Sequence, residues 1–177
     1  MARRINYSAR YKHHTVEQVY AALSDRDYWE TIVEEMRQFS PNHIENFSAG
    51  ASGIEIEFQH IIPRELLPEI AQGVMRKDMV ITRKQSFSSL DTGASVATGK
   101  ADAVTGKYEA SVPAGPGSLT GTMRLFTTET GCTLRTTSEA KVYIPMMGPR
   151  LEQLMLINVI DLFRAEAAAT LRWLNSH

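Results

Sequence analysis

Three ionisable residues, His60, Arg83 and Glu166, fall where the local pattern asks for apolar ones. In "GIEIEFQHII" the alternation sets Ile54, Ile56, Phe58, His60 and Ile62 on one side of a strand and Glu55, Glu57 and Gln59 on the other, so the first set faces inward. By the same rule Met79, Ile81, Arg83, Gln85 and Phe87 form the more apolar side of a second strand, opposite Val80, Thr82, Lys84 and Ser86. Glu166 lies on a helical stripe with Met155, Val159, Leu162, Thr170 and Trp173, spaced by steps of three and four. An unpaired buried carboxylate is costly, so Glu166 must be partnered or protonated, and Arg83 and His60 are the available partners. Such a trio supports a satisfied ion pair, a polar anchor for a ligand carboxylate or hydroxyl in an apolar pocket, or general acid-base chemistry by His60 and Glu166.

The other chemistry-bearing residues carry less. "GASVATGKA" has the look of a phosphate loop, but Gly93 and Gly99 stand one position too far apart and Ala101 replaces the metal-binding Ser or Thr. His13 and His14, adjacent on a strand, point to opposite faces and cannot share a metal in the usual way, and His43 has no evident companion. No metal and no cofactor is expected. The single cysteine, Cys132, forms no internal disulfide, suits a reducing cytoplasm, and reads as a small inward packing residue rather than a nucleophile. Ser118 lacks a nucleophile-elbow setting.

These residues need elements to position them. A chain of 177 residues, 43% hydrophobic and 22% charged, fits one globular domain with a sizeable core. A net charge of -1, with both signs interspersed, offers no footprint for nucleic acid or an anionic membrane. Met1 to Arg4 is basic but runs into an alternating segment, not an apolar signal core. The most apolar run, Leu151 to Phe163, is interrupted by Glu152, Asn158 and Asp161 and is too short to span a bilayer. A soluble, cytoplasmic protein is the expectation.

Along the chain, Ile5 to His13 alternates as a strand, and Thr15 with Gln18 forms a capping box that opens a short helix. Ser24-Asp25 caps a second helix carrying Tyr28, Trp29, Ile32, Val33 and Met36. A strand over His43 to Ser48 precedes the His60 strand. Pro63 to Lys77, broken by Pro68 and Gly73, reads as a loop and a candidate lid over a site. Ser88 to Gly106 gives no clear strand in its first half, whereas Lys107 to Val112, Leu119 to Leu125 and Cys132 to Ile144 alternate, the last two joined by a hairpin at Glu129-Thr130-Gly131. After Pro149, at home in a first helical turn, one helix runs to about Asn175, roughly 40 Å at ~1.5 Å per residue. Its apolar face needs a sheet that curls to cover it. The expected architecture is α+β: a curved antiparallel sheet of about seven strands in β-α-α-β(n)-α order, wrapped around the C-terminal helix.

That order, with "TVEQVYAALSDRDYWE", "GTMRLF", "VYIPMMG" followed by "RLEQLM", and "EAAATLRWL", resembles the START-like (SRPBCC, helix-grip) superfamily, which includes plant pollen allergens and polyketide cyclases. Within it the chain looks most like an uncharacterised actinobacterial family of START-like proteins. The resemblance covers nearly all of residues 1–177 and implies a single domain with a hydrophobic cavity between sheet and long helix, used in relatives for lipids, steroids or polyketides. The candidate walls are then Ile54, Ile56, Phe58 and His60; Met79, Ile81 and Arg83; Leu119 and Met123; and Met155, Val159, Leu162 and Glu166. The expected partner is a hydrophobic small molecule, lipid, sterol or polyketide-like, held by a carrier or sensor. The alternatives are a cyclase or dehydratase using His60, Arg83 and Glu166, and a co-chaperone-like interaction module.

Overall fold

Period-two alternation and capping signals become regular elements over most of the chain. The computed structural model describes residues 2–38, 41–73, 75–91, 102–112 and 115–177. Among these lie seven strands, β1 (Arg3–Lys12), β2 (Asn42–Gly50), β3 (Gly53–Ile62), β4 (Met79–Phe87), β5 (Val104–Ser111), β6 (Gly117–Thr128) and β7 (Gly131–Val142). The helices are α1 (Val16–Leu23), α2 (Arg26–Met36), the single turn α3 (Glu69–Gln72) and the long α4 (Gly148–Ser176). The strands form one sheet in the order β1-β7-β6-β5-β4-β3-β2, and every neighbouring pair is antiparallel. β1 and β2 are therefore its edges, and α1 and α2 carry the chain from one edge to the other.

The two short helices start where their side chains satisfy free amides. Thr15 Oγ1 accepts from the Gln18 amide at 3.1 Å while Gln18 Oε1 accepts from the Thr15 amide at 2.8 Å. Asp25 accepts from the Asp27 amide at 2.8 Å. Their buried faces, Val16, Val19 and Leu23 in α1 and Tyr28, Trp29, Ile32, Val33 and Met36 in α2, join the core beneath the sheet.

The joint between β7 and α4 is closed by backbone and one buried acid. Tyr143 donates its amide to Pro116 O at 2.6 Å, Met146 sits at φ 66°, and the Gly148 amide reaches Ile144 O at 2.9 Å. Pro149 occupies the first turn of α4. Glu152, 3% exposed, turns back to accept from the Val142 amide at 3.1 Å, so the last free amide of β7 is met by the helix that follows.

Some expectations are corrected. β2 runs from Asn42 to Gly50 with a bulge between Ile44 and Asn46, and β5 begins at Val104, before the visible alternation at Lys107. His13 lies beyond the end of β1 at φ 66°, its amide bonded to Thr130 O at 2.8 Å, so His13 and His14 do not share a strand. His14 instead meets Asn175 of α4 at 2.9 Å. Pro63 to Lys77 contains a 3-10 turn at Arg64–Leu66 and α3, which Pro68 and Gly73 bracket. Arg64 ties this excursion together, donating to Met75 O and Gln72 O at 2.9 Å each. The phosphate-loop look-alike, 93–101, lies outside the described residues. Among the described residues no helix is long and apolar enough to cross a membrane.

Candidate functional site

The site begins at the register of β3 and β4. Phe58 pairs with Arg83 and His60 with Ile81, so all four belong to the inner face, and His60 and Arg83 are diagonal neighbours on it. Trp29 on α2 packs against Phe58 with ring centroids 5.5 Å apart. The Arg83 guanidinium also lies over that ring, 4.6 Å from its centroid. From there Arg83 Nη2 donates to Glu166 Oε1 across the interior at 2.7 Å, with side-chain exposures of 5% and 19%. The pattern's demand that Glu166 find a partner is met by Arg83.

The ion pair uses only part of the guanidinium. Arg83 Nε and Nη1 are buried without a hydrogen-bond partner, and so is His60 Nε2. Burial, the Arg83 charge and His43 together push the His60 pKa down to about 3, which leaves the ring neutral. Behind the pair, Thr170 donates to Glu166 O at 2.7 Å, and because its one proton is spent there, Tyr28 is the donor in the 2.7 Å contact between Tyr28 and Thr170. Burial raises the Tyr28 and Tyr11 pKa values, so both phenols keep their protons.

A second long side chain crosses the interior nearby. Gly121 on β6 has no side chain, and a Cβ there would stand 2.1 Å from the Tyr108 ring. Tyr108 of β5 leans through that gap to reach Ser138 Oγ on β7 at 2.5 Å, and its ring meets Phe163 of α4 edge-on at 5.7 Å. Elsewhere α4 packs mainly on β7, β1 and the short helices.

Of the sequence-predicted wall residues, Ile54, Ile56, Phe58, Arg83, Leu119, Met123 and Val159 are buried, while His60, Met79, Ile81, Met155, Leu162 and Glu166 remain half-buried. The structure brings Phe58, His60, Arg83 and Glu166 together. Ile54, opposite Phe87, belongs to the other end of β3. Tyr108, Ser138, Tyr28 and Glu152 were not singled out. Alternation with Lys107 and Glu109 marks Tyr108 as inward, but the gap that admits its ring depends on Gly121, a contact between strands. Two open depressions, of about 670 and 770 Å³, lie on the opposite, outer face of the sheet and are lined by such polar residues as Glu55, Ser86 and Lys107. Among the described residues no group of three His, Cys, Asp or Glu side chains is placed to hold a metal ion.

A seven-stranded antiparallel sheet gripping a C-terminal helix is the helix-grip fold, and solved structures show it. The chain is similar to the Zhui aromatase/cyclase from Streptomyces sp. R1128 (TM-score 0.56, 14% identity, 99% of this chain and 94% of that one). It is similar to Ara h 8.0201 (TM-score 0.57, 8% identity, 97% and 99% covered). It is also similar to the di-domain ARO/CYC StfQ from the steffimycin biosynthetic pathway (TM-score 0.55, 11% identity, 99% of this chain and 51% of that one). At these identities the likeness is one of fold. Residues 6–174 match the family described as protein of unknown function DUF2505, and the chain belongs to that family. No curated protein sequence matches it.

Proposed function

We propose that the protein is a single-domain START-like carrier or sensor that binds a hydrophobic small molecule, lipid, sterol or polyketide-like, between β3, β4 and α4. One observation carries this reading: Met79, Ile81, Met155 and Leu162 are apolar and turned inward by their positions, yet they are only partly buried, Met155 and Leu162 at the margin of the core. In a close-packed interior such residues would be buried. Their neighbours His60, Arg83 and Glu166 supply the few convergent polar groups of a ligand site. The aromatase/cyclase names of two structural neighbours give the polyketide-like option its precedent. A guest would enter past the Arg64–Gln72 excursion, which follows β3 at the end of the sheet where β7 leads into α4. The neutral His60, with its pKa near 3, serves better as a hydrogen-bonding wall than as an acid at ordinary pH, so we favour binding over catalysis.

Delipidated protein incubated with a lipid extract should retain a discrete added mass in native mass spectrometry. Leu162→Trp, which places an indole in the proposed space, should abolish it while the protein stays folded by circular dichroism. An unliganded spectrum across extracts of differing polarity would overturn the reading.

A further inference from the structure

On the ligand-binding reading, the unused donors of Arg83 specify what the guest must carry. We propose that it presents an uncharged oxygen acceptor, a keto or ester carbonyl, to Arg83, and that Glu166 acts as a charge filter that turns carboxylates away.

Arg83 is 4% exposed, and its Nε and Nη1 lie buried with no acceptor. Unmet donors on a buried cation are costly, so they favour any guest that offers oxygen there. His60 Nε2, diagonal to Arg83 on the same face, is a further unpartnered polar atom at the same place.

The sign of the site decides which oxygen fits. The charge of Arg83 is already matched by Glu166 at 2.7 Å. The other polar groups around the pair are neutral: the His60 ring, and the Tyr28 and Tyr108 phenols, whose pKa values burial raises. A guest carboxylate would enter beside the Glu166 carboxylate, and among the described residues no second cation is bonded to that pair. A carbonyl takes the same N–H donors without adding charge.

The test compares chain-matched probes, 2-tridecanone and dodecanoate, with dodecylbenzene as an oxygen-free control. Each is titrated at pH 8 into delipidated full-length protein and read by calorimetry or native mass spectrometry. The wild-type protein should bind the ketone about 10-fold or more tighter than the carboxylate. Glu166→Gln, which leaves the cation of Arg83 unmatched, should reverse that order. Arg83→Met should bind the two probes about equally. Wild-type binding of dodecanoate as tight as or tighter than the ketone overturns the inference while leaving hydrophobic binding intact, and this comparison needs no variant to fold. Failure of all three probes to bind overturns the inference, whereas an unliganded spectrum across the extracts overturns the ligand-binding reading itself.

Discussion

Where α4 packs on β1 and β7, the inner face carries Tyr7, Ala9, Tyr11, Leu134, Ser138 and Ala140, of which Ala9, Tyr11, Ser138 and Ala140 are buried. Where it faces β4, the inner face carries Met79, Ile81, Arg83, Gln85 and Phe87, of which Arg83 and Phe87 are buried. How closely α4 lies on the sheet separates the two regions. On β7 and β1 the helix packs directly, with Phe163 meeting the Tyr7 ring at 6.1 Å. Toward β4 the span between sheet and helix is crossed by Arg83 to Glu166, and from the neighbouring β5 by Tyr108 to Phe163. One region is core, whereas the other depends on a buried charge that must stay matched.

Breaking that match should have the largest effect. Glu166→Leu leaves Arg83 buried with only the Phe58 ring against its charge, and we expect a loss of about 3 kcal/mol in urea unfolding, near the low end for a broken buried pair because Glu166 keeps some solvent contact. Adding Arg83→Met should restore much of it, since an apolar pair of similar volume removes both charges from the interior. A single-variant loss below about 1 kcal/mol would mean that water already reaches the guanidinium, and the two regions would differ less than their side chains suggest.

The seam between the regions is Gly121. Gly121→Ala puts a methyl 2.1 Å from the Tyr108 ring, which must leave Ser138 and Phe163 to make room. We expect about 2 kcal/mol of destabilisation, seen as a lowered Tm, and partial recovery with Tyr108→Leu in the same background. An unchanged Tm would show the ring to be free to move, and Tyr108 would then not be a fixed strut.

A pH series sharpens the comparison from the open side. His60 is pushed down from 6.5 to about 3 by burial and by Arg83, so between those values the unfolded chain binds a proton that the folded chain refuses. Stability from this group is therefore complete above pH 6.5 and falls as pH drops toward 3, by up to about 1.4 kcal/mol per unit. Relative to His60→Asn, the wild-type protein should lose roughly 2 kcal/mol between pH 7.5 and pH 5. Parallel curves for the two proteins would place His60 in water.

The fold and the ion pair were legible in the sequence for the same reason: strand alternation and helical spacing each fix a side chain's direction from a few neighbours. Arg83, His60 and Glu166 could be read as inward before any contact was known, and their meeting followed from the cost of leaving them apart. Contacts that depend on register were not legible. The room for Tyr108 comes from Gly121, which β5 and β6 pair directly opposite it. Glu152 looked like an interruption of an apolar run, yet it is buried because the turn at Met146 brings β7's last amide back over the helix. His13 continued the alternation of β1 in type, but it follows a chain that has already left the strand.

The smallest effect tests the packed end of α4. Tyr28 donates to Thr170, whose own proton goes to Glu166 O, while the Tyr28 ring packs edge-on between Trp29 and Trp173 at 4.9 and 5.8 Å. Tyr28→Phe keeps the ring and removes one hydrogen bond, and Thr170 still has an acceptor for its proton, so the expected loss is about 1 kcal/mol. Thr170→Val should cost more, because it strands the buried phenol without an acceptor. The ordering is the informative result. If Tyr28→Phe proved as costly as Thr170→Val, the hydroxyl would be holding the backbone of α4 at Glu166 in place, and the packed end would be setting the position of the Arg83 partner rather than standing apart from it.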